Sequence, residues 1–204
     1  MMPTREHFEA TEHLGDDLIV HHTALPETAL SRRVDAWLRL VGEAVSWIWL
    51  LLVAVVTVNV VMRYALGRGL VQFEELQWHL YAIGFMIGIA YCFESDDHVR
   101  IDILHERLSL SGQVWVEFYG LLLLLFPFLA VVLIHGVPFV WQSFLSGEVS
   151  ASPGGLPYRW AIKAVLLIAF GLLTLGAVSR FSRVLAYLYG WPRALGTGGQ
   201  RHGG

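Results

Sequence analysis

Few residues in this chain have the means to do chemistry, and their placement argues against catalysis. His79 and His135 fall in or beside apolar runs, Glu74 and Glu75 form an adjacent carboxylate pair, and Asp96, Asp97 and His98 open a charged stretch that continues to Arg100 and Asp102. Covalent or acid–base catalysis needs a nucleophile held beside a base, and no serine, cysteine or histidine here stands in such a frame. Metal spacings of the HExxH or CxxC type are also absent, and His7, His13, His21 and His22 follow no regular ligand spacing. No enzyme is therefore expected, and no catalytic or metal residue is assigned. The chemistry left open is haem ligation. His79 lies early in the second apolar run and His135 late in the third, so both fall on one side of a membrane, where they would supply two axial ligands to a haem b in a redox-complex anchor. The ordinary alternative is a histidine satisfied by water or a carbonyl.

The elements that must position these residues are membrane helices. The chain has 204 residues, 55% of them hydrophobic and only 15% charged, with a mean hydropathy of +0.56. That is too apolar for a water-soluble domain of this size. The apolar residues gather into four long runs, and each membrane crossing needs about 20 of them. A net charge of −3 and a pI near 6.3 leave no basic footprint for a nucleic acid. The single cysteine, Cys92, excludes an internal disulfide, so helix packing must hold the fold.

The fold class expected is an all-α integral membrane protein of four transmembrane helices. Residues 1–28 read as a disordered cytoplasmic tail without a signal peptide, so the first span is expected to serve as its own insertion signal. The membrane domain covers 29–189. Between Ala29 and Leu40, Leu30, Val34, Trp37 and Leu38 recur at helical steps with Arg32, Arg33, Asp35 and Arg39 between them, which predicts an amphipathic arm in the headgroup layer. The spans follow at about 41–62, 76–93, 114–145 and 160–178. The third would be about 48 Å long at 1.5 Å per residue, against a hydrocarbon core of about 30 Å. With Pro127 and Pro138 inside it, a kink, a strong tilt or a break near Gly136 to Pro138 is expected. Residues 190–204 read as a flexible, glycine-rich cytoplasmic tail.

Orientation follows from arginine and lysine. Arg32, Arg33, Arg39, Arg100, Arg107, Arg180, Arg183 and Arg193 cluster on one side, against Arg63, Arg68, Arg159 and Lys163 on the other. The basic side faces the cytoplasm, which puts both termini inside. Two outer loops result, Arg63 to Glu75 and about Ser146 to Tyr158. In the first, Arg63 is expected to tie to Glu74 or Glu75 across the hairpin, because a charge at the membrane boundary must snorkel or pair. In the second, Ser152-Pro-Gly-Gly-Leu-Pro-Tyr158 predicts a tight turn in which Gly155 and Pro157 shape the entry to the last helix. Gly84 and Gly88 form a GxxxG strip suited to close approach of helix 1 or of another subunit.

Taken in order, Arg63-Tyr64, the Glu74-Glu75 pair, Gly84 with Gly88, His98-Val-Arg100-Ile-Asp102 and Gly154-Gly155-Leu-Pro157-Tyr resemble the small membrane subunit, the Q component, of tripartite ATP-independent periplasmic (TRAP) transporters. The resemblance covers roughly Arg33 to Tyr187. It implies a bacterial inner-membrane subunit without a transport site, which braces a large permease subunit and helps receive a periplasmic solute-binding protein. It further implies sodium-coupled import of an organic acid or related solute, with sodium bound by the large subunit and no cofactor here. This chain departs from that pattern in a longer polar N-terminus and a longer stretch between its third and fourth helices. Within that reading, Arg68, Glu74, Glu75, Glu148 and Arg159 share the outer side and are expected to form a landing surface for the binding protein. Four helices carry neither an inverted repeat nor charges converging at the midplane, so the residues alone also call for a larger partner. An assembly factor unconnected to transport is the remaining alternative.

Overall fold

The computed structural model describes residues 25–67, 69–95 and 109–192. They form four long helices, each long and apolar enough to cross a membrane. Helix α1 is Ala29–Ala65, α2 is Val71–Glu94, α3 runs as Leu110–Tyr119, Gly120–Leu125 and Phe126–Leu145, and α4 is Arg159–Tyr189. The starts of α1 and α3 lie with the ends of α2 and α4 at what we call the terminal end. The α1–α2 turn and the α3–α4 loop make up the hairpin end.

The first helix begins one residue after a capping threonine. Thr28 Oγ1 accepts from the Ser31 backbone N–H at 3.0 Å, and the Thr28 backbone N–H is paired with Ser31 Oγ at 3.0 Å, a reciprocal cap that satisfies two orphan donors. From there α1 runs 37 residues without interruption, so Ala29–Leu40 is continuous with the span and not a separate element. Its packed face is Ser31, Asp35, Leu38 and Gly42, at steps of three and four. Two of these are polar, whereas Leu30 and Trp37 of the expected apolar stripe are exposed. The reason lies across the interface, where α4 supplies hydrogen-bonding partners. Thr28 Oγ1 lies 3.0 Å from Ser182 Oγ, Ser179 Oγ donates to Asp35 Oδ1 at 2.6 Å, and the Arg183 guanidinium pairs with the same carboxylate. Arg180 pairs with Glu117 of α3, and Arg39 with Glu94 of α2. Ionic and hydroxyl pairs thus join all four helices at the terminal end.

The third helix stays helical through Pro138 to Leu145; the irregularity falls at Gly120–Leu125, which forms a π-helical turn. Pro127 explains its position. Lacking an N–H, Pro127 cannot donate to the carbonyl four residues back, and its ring crowds that carbonyl. A wider turn relieves both, and the Phe126 N–H accordingly bonds to Leu121 O, five residues away. Gly136 marks closest approach to α4 rather than a break, since a Cβ there would lie 2.6 Å from Leu167 Cδ2.

Helix α4 packs against the other three and carries more buried positions than any other helix. Leu172, Leu173 and Ala177 meet Leu38, Ala90 and Leu129 in one cluster, and Val184 meets Leu25, Val114 and Leu121 in a second. Phe181 stacks on Phe118 at 5.5 Å and meets Phe126 edge-on at 5.4 Å. Outside this seam, long apolar faces of α1 and α3 remain exposed, as expected when lipid is the solvent. Small residues set the α1–α2 distance. A Cβ on Gly42 would sit 2.6 Å from Tyr91 Cγ, and one on Gly84 would meet the Trp49 ring at 3.1 Å, while Gly88 has open space. Only Gly84 of the GxxxG strip therefore serves the α1–α2 contact. Alanine at Gly42 should lower stability in detergent by about 1–3 kcal/mol through overpacking, whereas alanine at Gly88 should be neutral or slightly stabilising. A chemical-denaturation comparison of the two variants checks this, and equal effects would refute the assignment of the contact.

Candidate functional site

The hairpin end is built from two carboxylates that hold one loop. Glu75 lies in the second turn of α2 and reaches across to the α3–α4 connection, where Ser150 Oγ donates to its Oε1 and the Leu156 backbone N–H donates to its Oε2 at 2.6 Å. Between these anchors, Ser152-Pro153-Gly154-Gly155 closes a turn with Gly155 N–H on Ser152 O at 2.9 Å. Gly154 takes φ +75°, so proline precedes a left-handed residue, the order a type II turn requires. Gly155 has a different role. A Cβ there would sit 2.5 Å from Ser150 Cβ and 2.7 Å from Glu75 Oε1, so only glycine admits the carboxylate.

Glu148 secures the other side of the loop. Its carboxylate accepts from Ser143 Oγ at 2.6 Å, pairs with Lys163 of α4, and lies 3.9 Å from Arg159 Nε. The hydrogen bonds from Lys163 and Ser143 hold its carboxyl below the usual glutamate range. The Arg159 backbone N–H donates to Glu148 O at 3.1 Å, which satisfies a donor at the start of α4. That helix starts after Tyr158, which takes φ +64°, so Pro157 lies two residues outside the helix and not in its first turn. The Lys163 ammonium also sits 4.3 Å from the centre of the Phe139 ring, a cation–π contact joining α3 to α4.

A half-open cleft of about 320 Å³ lies between α2 and this loop, lined by Val71, Glu74, Glu75, Trp78, His79, Ser150, Ser152 and Arg159. Glu74, on its rim, forms the cross-hairpin tie to Arg63 at 3.6 Å, with both side chains about half exposed. His79 Nδ1 lies 2.5 Å from the Glu75 carbonyl, and its ring lines the cleft. His135 Nδ1 is bonded to Val131 O in its own helix, and its side chain is exposed on α3. Each of these two histidines is bonded to a carbonyl of its own helix, so the haem reading gains no support.

Of the residues expected at the landing surface, Glu74, Glu75 and Arg159 come together around the cleft, and Glu148 stands behind Arg159. Arg68 lies outside the described residues, as do His98, Arg100 and Asp102. The sequence singles out neither Ser150 nor Ser143, and it places Lys163 only among the cations of the outer side. An arginine or lysine one turn into a helix, after a loop containing glutamate, is the signal that could have found Lys163; nothing local marks Ser150.

Four apolar helices with a polar, loop-built end define a multi-pass membrane subunit. Residues 52–186 match the model of the family described as tripartite ATP-independent periplasmic transporters, DctQ component, and the chain belongs to that family. It is thus a small permease subunit of a TRAP transporter and not an enzyme. A Haemophilus influenzae protein named "Putative TRAP transporter small permease protein" is 27% identical over 121 residues, covering 58% of this chain and 74% of that relative. No solved structure matches the chain.

Proposed function

We propose that the chain sits in the bacterial inner membrane with both termini in the cytoplasm, braces a large permease subunit, and helps receive a periplasmic solute-binding protein at its hairpin end. The solute is an organic acid or a related compound, imported with sodium that binds the large subunit. Orientation rests on the excess of arginine at the terminal end. The docking role rests on one observation above the others: the α3–α4 loop is held in a defined shape by Glu75 and Glu148, and this leaves Glu74, Trp78 and Arg159 on the rim of a charged cleft. A preformed polar rim suits transient protein docking, because ordering costs little and rim charges govern encounter.

The separating experiment reverses charge at the rim without replacing Glu75 or Glu148. Glu74→Lys and Arg159→Glu should each reduce solute uptake in cells by about fivefold or more, since like charges facing each other are costly. Copurification of the large permease should stay at its normal level. Normal uptake in both variants would refute the docking role, and loss of the permease would reassign the rim to subunit assembly.

A further inference from the structure

The first three turns of α1 carry two cations without a carboxylate partner among the described residues. Arg32 and Arg33 are exposed, and neither guanidinium meets a carboxylate among the described residues, whereas Arg39 is bonded to Glu94 and Arg183 to Asp35. Arg32 flanks the packed face, and the setting of Arg33 is apolar. With the packed face of α1 defined by Ser31, Asp35, Leu38 and Gly42, the 100° step per residue puts Arg33 on the opposite side with Leu30, Trp37 and Leu40. All three are exposed, at 47%, 49% and 64%. An arginine within a stripe that continues into the apolar span is not placed like a residue of a solvated polar face.

The level of this stripe follows from a second set of contacts. Thr28 meets Ser182 of α4; the neighbouring Phe181 stacks on Phe118 of α3, and Trp115 lies 5.7 Å from Phe118. Trp115, itself exposed, therefore sits level with the opening turns of α1, and Tyr187, Tyr189 and Trp191 extend the exposed aromatic set at the same end of α4. Exposed tryptophan and tyrosine collect where hydrocarbon gives way to headgroups. Arg32 and Arg33 thus lie at headgroup depth, where the anion at hand is a lipid phosphodiester, and the planar guanidinium fork matches its two oxygens.

We infer that Arg32 and Arg33, framed by Leu30, Trp37 and Leu40, form a binding surface for an anionic phospholipid headgroup in the leaflet at the terminal end. The acyl chains of that lipid would lie along the exposed apolar face of α1. This selectivity is independent of docking at the opposite end, so the two proposals fail separately.

The test uses the full chain, purified in mild detergent and incubated with phosphatidylglycerol or phosphatidylcholine, with bound lipid counted by native mass spectrometry. The wild type should retain phosphatidylglycerol in preference to phosphatidylcholine. R32Q/R33Q should lose about tenfold or more of that retention, because each basic residue near a membrane surface adds substantially to anionic-lipid affinity. R63Q, at the hairpin end, should retain wild-type levels, and R32K/R33K, which keeps charge and fold but lacks the fork, should fall between. Equal retention of the two lipids by the wild type, or unchanged phosphatidylglycerol in R32Q/R33Q, overturns the proposal. So does loss of the copurifying large permease from R32Q/R33Q with lipid retention intact, which would make a protein the occupant. A matching loss in R63Q would show nonspecific charge attraction and equally defeat it.

Discussion

Replacing Asp35 with alanine is expected to destabilise the bundle by about 2–3 kcal/mol, toward the low end for breaking a buried ion pair because Arg183 keeps 23% of its side chain exposed. The loss has two sources. Asp35 accepts from Ser179 Oγ at 2.6 Å and balances the charge of Arg183, whose buried Nε already lacks a hydrogen-bond partner among the described residues. Truncation strands that cation between α1 and α4. The double replacement Asp35→Leu with Arg183→Met should recover most of the stability, since an apolar pair of similar volume avoids burying charge altogether. Chemical denaturation of the wild type and these two variants in one detergent checks this. A change within about 0.5 kcal/mol for Asp35→Ala, the range of ordinary surface substitutions, would mean the pair contributes nothing to holding α1. So would a double variant no better than the single.

The second large effect is expected at Glu75. Glu75→Ala removes the acceptor for the Leu156 N–H and for Ser150 Oγ together, and hydrogen bonds to a charged group contribute about 1.5–3 kcal/mol each. Hydrogen exchange at the Leu156 amide should accelerate by about tenfold to a hundredfold, with 1.4 kcal/mol equal to a factor of ten. Exchange along α2 below Leu80 should not change. Gly155→Ala should produce the same local release by a different route, since its methyl group would collide with the carboxylate it must admit. Glu75→Gln, which keeps an acceptor oxygen but not the charge, should give a smaller acceleration. If Leu156 exchanges at its wild-type rate in both Glu75→Ala and Gly155→Ala, the loop is held by something other than this carboxylate, and the rim argued to meet the binding protein loses its support. Solute uptake should fall with loop release, more steeply than in the rim variants, because the whole α3–α4 surface is displaced.

These two sites differ in how far they could be foreseen. The Glu74-Glu75 pair stood out as charge at a membrane boundary, and Ser152-Pro-Gly-Gly as a turn, because both signals are local: a carboxylate cannot idle in hydrocarbon, and proline before glycine presets backbone angles. Their connection was not legible, since Glu75 and Leu156 are 81 positions apart. By periodicity Asp35 belongs to the polar side of an amphipathic arm, and its partner Arg183 is one of the arginines that mark the basic side. Periodicity ranks a face by polarity alone, so it cannot recognise a polar face turned inward when the complementary charge is carried by a helix 148 positions away.

The same division holds for the helices. Four apolar runs, their order and the family they resemble were determined by the sequence alone, because a bilayer imposes length and hydrophobicity on each segment separately. Pro127 and Pro138 predict an irregular third helix, yet the structure keeps the helix regular at Pro138, with Gly136 packed against Leu167 of α4, and forms the π turn ahead of Pro127. The single unbroken α1, the central place of α4 and the pairing of Glu75 and Glu148 with one loop were decided only by tertiary structure. Each depends on groups far apart in the chain meeting at hydrogen-bonding distance, and no local pattern of residues encodes such a meeting.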